Sequence, residues 1–224
     1  MRRSLFENSL SLFFLVIFLG TLGGQSIAGQ RAYNEHQRAH GGSPVSWWDY
    51  VTSSDFGQAV MENWQSEYLQ FTVFILATIW LVQRGSTESK QVEEAGVQSD
   101  QKQKVGGYAA DDGPRWAKTR GWRTAVYQNS LLLVMFTIFV GSWFAQSVTG
   151  WRIYNDEQRA HDDPTVSWAT YLTKADFWEE TLQNWQSEFL AVGTMAVFTI
   201  YLRQRGSPES KPVGAPHDET GTSG

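Results

Sequence analysis

Residues 131–150 read LLLVMFTIFVGSWFAQSVTG, an uncharged stretch in the middle of a 224-residue chain. About 20 apolar residues, at 1.5 Å rise each, cross a bilayer core of about 30 Å. Leu10–Leu22 (LSLFFLVIFLGTL) is a second such stretch, and its uncharged run continues to Gln30. Taken alone it fits a signal peptide, because Arg2 and Arg3 precede it and Ser26-Ile27-Ala28 passes as a cleavage site. The mid-chain stretch argues against that, since no signal peptide belongs there.

Two shorter uncharged blocks follow the same plan. Leu69–Val82 and Phe189–Leu202 are each preceded by a Trp, Trp64 and Trp185, and followed by Arg84 or by Arg203 and Arg205. Interfacial aromatics and basic flanks mark helix ends at a membrane. All four blocks therefore read as transmembrane helices. The whole-chain averages conceal this: 42 % hydrophobic residues and a net charge of −5 describe an ordinary acidic soluble protein. The eleven Trp do not fit such a protein, and several of them bracket the apolar blocks.

The chain is a duplication. Shifted by 121 positions, residues 5–90 align with 126–211 without a gap, and 40 of the 86 pairs are identical. Tyr33-Asn34, Gln37-Arg38-Ala39-His40 and Val45-Ser46-Trp47 return as Tyr154-Asn155, Gln158-Arg159-Ala160-His161 and Val166-Ser167-Trp168. Asn63-Trp64-Gln65-Ser66-Glu67 returns as Asn184-Trp185-Gln186-Ser187-Glu188. The expected fold is an all-α polytopic membrane protein of four transmembrane helices, arranged as two tandem helical hairpins. Two spans per unit give both units one orientation, so a pseudo-twofold axis should run along the membrane normal. Repeat unit 1 covers 1–90, with spans near 10–29 and 66–83. Repeat unit 2 covers 123–211, with spans near 131–150 and 187–203. Residues 91–122 read as a flexible cytoplasmic linker, and 212–224 as a disordered tail, from their polar, Gly- and Pro-containing composition.

Charge sets the orientation. The N-terminus, linker and C-terminal tail carry 2, 8 and 3 Lys/Arg, whereas the loops Gly29–Glu67 and Gly150–Glu188 carry 2 and 3. The positive-inside rule puts both termini and the linker in the cytoplasm, in a multi-pass protein of the cell membrane. Arg115, Lys118, Arg120 and Arg123, interleaved with Trp116 and Trp122, then meet the inner leaflet, where anionic lipid is a candidate partner. The acidic balance excludes a general nucleic-acid binder.

The outward loops diverge less than the spans. Roughly half their positions are identical, against about a third or fewer in the spans, although loops are usually the freer parts. Ala28–His40 reads as helix, stopping at Gly41-Gly42, and Thr52–Asp55 supplies caps for a second helix. Antiparallel pairing of these helices predicts a structural polar network at the outer face. Its members are Arg31, Asn34, Arg38, Asn63 and Glu67, with their repeats Arg152, Asn155, Arg159, Asn184 and Glu188. Arg31 should pair with Glu67, and Arg152 with Glu188. Gly20/Gly24 and Gly141/Ala145 place small residues four apart in the first span of each unit, a helix-packing signal.

Little points to catalysis. No span interior holds an ionisable residue, which lowers the prior for a proton relay. The chain has no Cys and no phosphate loop. His36 and His40 lie four apart on one helix face, a spacing that suits a metal or haem, but His36 becomes Glu157 in the second repeat, so only His40 and His161 are shared; helix-end capping is the commoner role. The sequence therefore implies no enzyme, no resident cofactor and no assigned metal. The expected role is binding or scaffolding through outward-facing helical hairpins, with a protein partner at the outer loops. The alternatives are a small-solute channel or transporter at the repeat interface, and a redox protein using His40 and His161.

The combination R-x-Y-N-x-x-Q-R-A-H, V-S-W and N-W-Q-S-E-[YF]-L, followed by a span and Q-R-G-S, resembles an uncharacterised family of bacterial integral membrane proteins. Arg31–His40, Val45–Trp47 and Asn63–Leu69 carry it, as do Arg152–His161, Val166–Trp168 and Asn184–Leu190. The resemblance implies a bacterial membrane protein with a domain of unknown function, and it transfers no catalytic or binding residue.

Overall fold

A computed structural model describes residues 2–221. Met1 and residues 222–224, the end of the tail expected to be disordered, lie outside the described residues. Eight α-helices follow one another among the described residues: α1 (Arg2–Glu7), α2 (Ser9–Ala39), α3 (Trp47–Val51), α4 (Ser54–Trp80), α5 (Trp122–Gln128), α6 (Ser130–Ala160), α7 (Trp168–Tyr171) and α8 (Ala175–Tyr201). Short 3₁₀ turns at Val92–Glu94, Gly106–Tyr108 and Arg115–Lys118 punctuate the stretch between α4 and α5. The described residues contain no strand. Both ends of α2 and α6, and both ends of α4 and α8, are offset by the sequence repeat of 121.

Local chemistry explains these limits. α2 stops where Gly41 adopts φ +77° and the Gly42 N–H returns to the Gln37 carbonyl at 2.7 Å. α6 stops identically with a costlier residue: Asp162 takes φ +56°, and the Asp163 N–H reaches the Gln158 carbonyl at 2.8 Å. Ser46 opens α3 with a reciprocal capping box to Asp49. The Phe56 N–H donates to Ser53 Oγ at 3.3 Å, capping α4.

α2 and α6 are the two helices, among the described residues, long and apolar enough to cross a membrane. At 31 residues each, they extend about 46 Å, beyond a bilayer core of about 30 Å. The expectation of four such helices is not met. α4 and α8 carry apolar blocks that directly follow the polar Asn-Trp-Gln-Ser-Glu runs, so no long window is apolar enough.

The chain divides into two compact units, Met1–Val60 with Ala145–Trp168, and Met61–Phe144 with Ala169–Gly224. Each unit draws on both sequence repeats. The second unit has an aromatic core. Trp143 stacks on Phe139 (centroids 5.6 Å) and on Phe177 (6.1 Å), and meets Trp178 and Trp185 at 6.1 and 5.8 Å. The Trp185 indole donates to Gln65 Oε1 at 2.7 Å.

The same unit contains the two Q-R-G-S-x-E-S-K turns. Ser89 Oγ accepts from the Gln83 N–H at 2.8 Å, and Ser210 Oγ from the Gln204 N–H at 2.9 Å. Gly85 adopts φ +85°, and a Cβ there would meet the His217 carbonyl oxygen at 2.2 Å. The buried Lys211 ammonium donates to the carbonyls of Pro216, His217 and Glu219 at 3.1, 2.8 and 3.1 Å. The stretch after α8 is thereby tied to its own turn.

Candidate functional site

The first unit contains the two loops with the strongest repeat signal. In each, one asparagine on a long helix grips the returning segment of the loop through both backbone groups of one residue. Asn34 Nδ2 donates to the Val45 carbonyl at 3.0 Å, and the Val45 N–H donates to Asn34 Oδ1 at 2.7 Å. Asn155 and Val166 repeat both bonds at 2.9 and 2.8 Å. Both asparagines are buried, where a fully used amide adds order and an unused one is costly. The same carbonyls accept a further donor from equivalent positions of different chemistry: Gln30 Nε2 to Val45 at 2.9 Å, and Trp151 Nε1 to Val166 at 2.8 Å. The bond persists although the residue has changed. Trp47 and Trp168 donate to Ser26 and Ser147 hydroxyls, each at 3.1 Å. These tryptophans anchor the loops to the helices.

Beside the clamps lies an open cavity of about 900 Å³. The C-terminal ends of α2 and α6 form two of its walls, bringing His36 and His40 opposite Glu157 and His161. Tyr33, Tyr50, Asp55 and Asp156 complete its polar lining. Tyr50 sits at the end of α3 and is only 6 % exposed. It packs edge-on against Phe56 at 5.6 Å and beside Tyr33 at 5.8 Å. Its hydroxyl passes over Gly29, where a Cβ would be 2.2 Å away; glycine is required for that approach.

Burial, with the charge of Asp55 added, holds the Tyr50 phenol above its ordinary range. Burial also pushes the Asp55 carboxyl up. Its own backbone N–H opposes the shift, Asp156 adds to it, and His36 opposes it weakly.

The expected network residues have different fates. Asn34 and Asn155 are the clamps described above. Arg31, Arg38 and Arg152 are exposed. Arg159 pairs with Asp156 at 2.5 Å, one turn away. Asn184 donates to Glu62 Oε1 at 2.6 Å and to the Glu180 carbonyl at 2.9 Å. Burial raises the Glu62 carboxyl, against the lowering effect of Asn184. Asn63 and Glu67 are exposed, and Glu188 lies close enough to Glu67 for their charges to repel. Arg31 and Glu67 fall in different units, as do Arg152 and Glu188.

His40 Nδ1 lies 2.9 Å from the His36 carbonyl, and His161 Nδ1 lies 2.9 Å from the Glu157 carbonyl. Each ring therefore caps its own last turn, with Nδ1 protonated. The described residues contain no group of three His, Asp or Glu placed to hold a metal ion. Gly20, Gly24 and Gly141 have no neighbour within 4 Å of a built Cβ, and Ala145 is half-buried. In the basic stretch, the Arg123 guanidinium lies 5.5 Å from the Trp122 ring centroid, and Lys118 donates to the Asp111 carbonyl. Arg115 stands in the 3₁₀ turn that ends at Lys118, and Arg120 follows it, exposed.

Sequence reasoning missed Tyr50, Tyr33 and Asp55 as site residues. A signal existed. All three recur in the second repeat, as Tyr171, Tyr154 and Asp176, and Tyr171–Phe177 reproduces the edge-on pair at 5.7 Å.

A family model described as Domain of unknown function (DUF6766) matches residues 1–222. No curated protein and no solved structure matches the chain.

Proposed function

This chain belongs to that family of unknown function, and on this footing we propose that it is a four-span membrane protein that binds or scaffolds through two outward-facing helical hairpins. The observation that carries the reading is the duplicated Asn clamp. Two loops hold the same buried two-way bond and accept a second donor of different chemistry at the same carbonyl. Loops held in this way suit the presentation of a binding surface.

The apolar surface supports the membrane part. α2 exposes Leu10 at 71 %, Val16 at 70 % and Phe13 at 59 %, more contiguous apolar surface than a soluble helix presents to water. Shorter spans from α4 and α8 would complete two hairpins per chain. A cavity of about 240 Å³ in the second unit supports an axis between repeats. Its lining falls into four pairs 121 apart: Gln70/Ala191, Phe71/Val192, Phe74/Met195 and Glu88/Glu209. The basic, aromatic turn near Arg115–Arg123 then meets anionic headgroups at the inner leaflet.

Photo-crosslinking in native membranes tests the reading. A photoreactive residue at Trp48, which is 72 % exposed on α3, should give a discrete adduct to a second protein. Adducts confined to the linker, for example from Ser99, would contradict it.

A further inference from the structure

The geometry points to the cavity of the first unit as a binding site for an organic ammonium cation. This inference deepens the binding role proposed above and rests on it.

The lining chooses the charge. Three carboxylates, Asp55, Asp156 and Glu157, reach the cavity, and no Lys or Arg among the described residues lines it. Arg159 engages Asp156 at 2.5 Å, which leaves Asp55 and Glu157 without an ion-pair partner among the described residues. An anionic ligand would meet repulsion here.

The lining also chooses the kind of cation. No three carboxylate or imidazole groups converge among the described residues, so a small divalent ion would lack its ligand set. Aromatic rings also line the cavity: Tyr33, Tyr50 and the tilted His36–His40 pair. Carboxylates beside aromatic faces recognise a diffuse charge on an apolar body, the arrangement that quaternary ammonium sites use. The volume, about 900 Å³, suits an organic molecule rather than an ion.

A second observation points to an occupant. Tyr50 is 94 % buried, lines the cavity, and its hydroxyl has no hydrogen-bond partner among the described residues. A ligand amine or hydroxyl entering the cavity could hydrogen-bond it.

An ammonium group can come from a soluble amine or from a lipid headgroup, and the test separates them. Full-length protein in phosphatidylglycerol nanodiscs is dialysed against radiolabelled choline, with empty nanodiscs subtracted. The neutral carbon isostere dimethylbutanol is the competitor. The expected result is saturable binding of one choline per chain, with the isostere competing at least tenfold more weakly. Asp55→Asn should weaken choline at least tenfold, and Tyr33→Leu several-fold. Glu157→Gln, at an exposed position, serves as the second variant if Asp55→Asn does not fold, and should also weaken binding. Repeating the dialysis in phosphatidylcholine nanodiscs identifies the source. A lower choline affinity there assigns the site to a headgroup, and an unchanged one to a soluble cation. No saturable binding, equal competition by the isostere, or full affinity in both carboxylate variants would overturn the inference. Failure here with an intact Trp48 adduct removes the ammonium site alone. Loss of that adduct removes the binding role itself.

Discussion

Asp55 carries a carboxyl that the fold holds above its ordinary range, chiefly by burial. The sign of its effect on stability follows. A carboxyl raised in the folded state contributes stability that is fully present below its unfolded pKa, about 4, and is lost as pH rises through the higher folded value. Asp55→Asn removes that loss. The variant should therefore melt higher than the wild type at pH 7, and the difference should vanish near pH 3. Melting curves across pH check this, and a variant less stable at pH 7 would contradict it. Gln146 is a second costly residue. It is 0 % exposed, and neither side-chain polar atom has a partner among the described residues. Gln146→Met should stabilise the chain by about 1–3 kcal/mol, measured by unfolding in detergent. Its equivalent, Gln25, is exposed. Nothing local in the sequence distinguishes the two, because burial is decided by what packs against each helix.

At the scale of elements, the sequence was most legible where chemistry is local. The Gly41-Gly42 stop, the Ser53 cap and the helical run from Phe56 all depend on residues within one turn of each other. The replacement of glycine by Asp162 at φ +56° was legible too, as a departure in the second repeat. The cavity was not. It requires the end of α6 to approach Tyr50 and Asp55 from more than a hundred residues away, and no periodicity encodes that distance. The aromatic core around Trp143 was likewise hidden. Trp143 and Trp178 stand where the first repeat has Leu22 and Gly57, so comparison of the repeats offered no support. Trp185, which the sequence reads as a belt or packing residue, joins that core at 5.8 Å from Trp143. The approach of α3 to α2 gives a direct prediction. Gly29→Ala would put a Cβ 2.2 Å from the Tyr50 hydroxyl and 2.9 Å from its ring, and the ring is held by Phe56 and Tyr33. The expected cost is about 1–3 kcal/mol. A thermal melt checks it, with Gly20→Ala, where no atom lies within 4 Å, as the neutral control.

At the scale of the molecule, duplication was the strongest signal in the sequence, and the helix limits recur at its offset of 121. Two compact units that each mix both repeats were not readable from self-comparison. The offset records how the chain arose; the units record what packs with what. The four-span topology makes the central claim, and the native absence of Cys makes it testable without background. Single cysteines at Ser43 and Thr165, both exposed in their loops, and at Ser99 in the linker are probed in intact cells with a membrane-impermeant maleimide. The account predicts labelling at Ser43 and Thr165 in intact cells, and at Ser99 only after permeabilisation. Labelling at Ser99 in intact cells, with Ser43 and Thr165 protected, would contradict it.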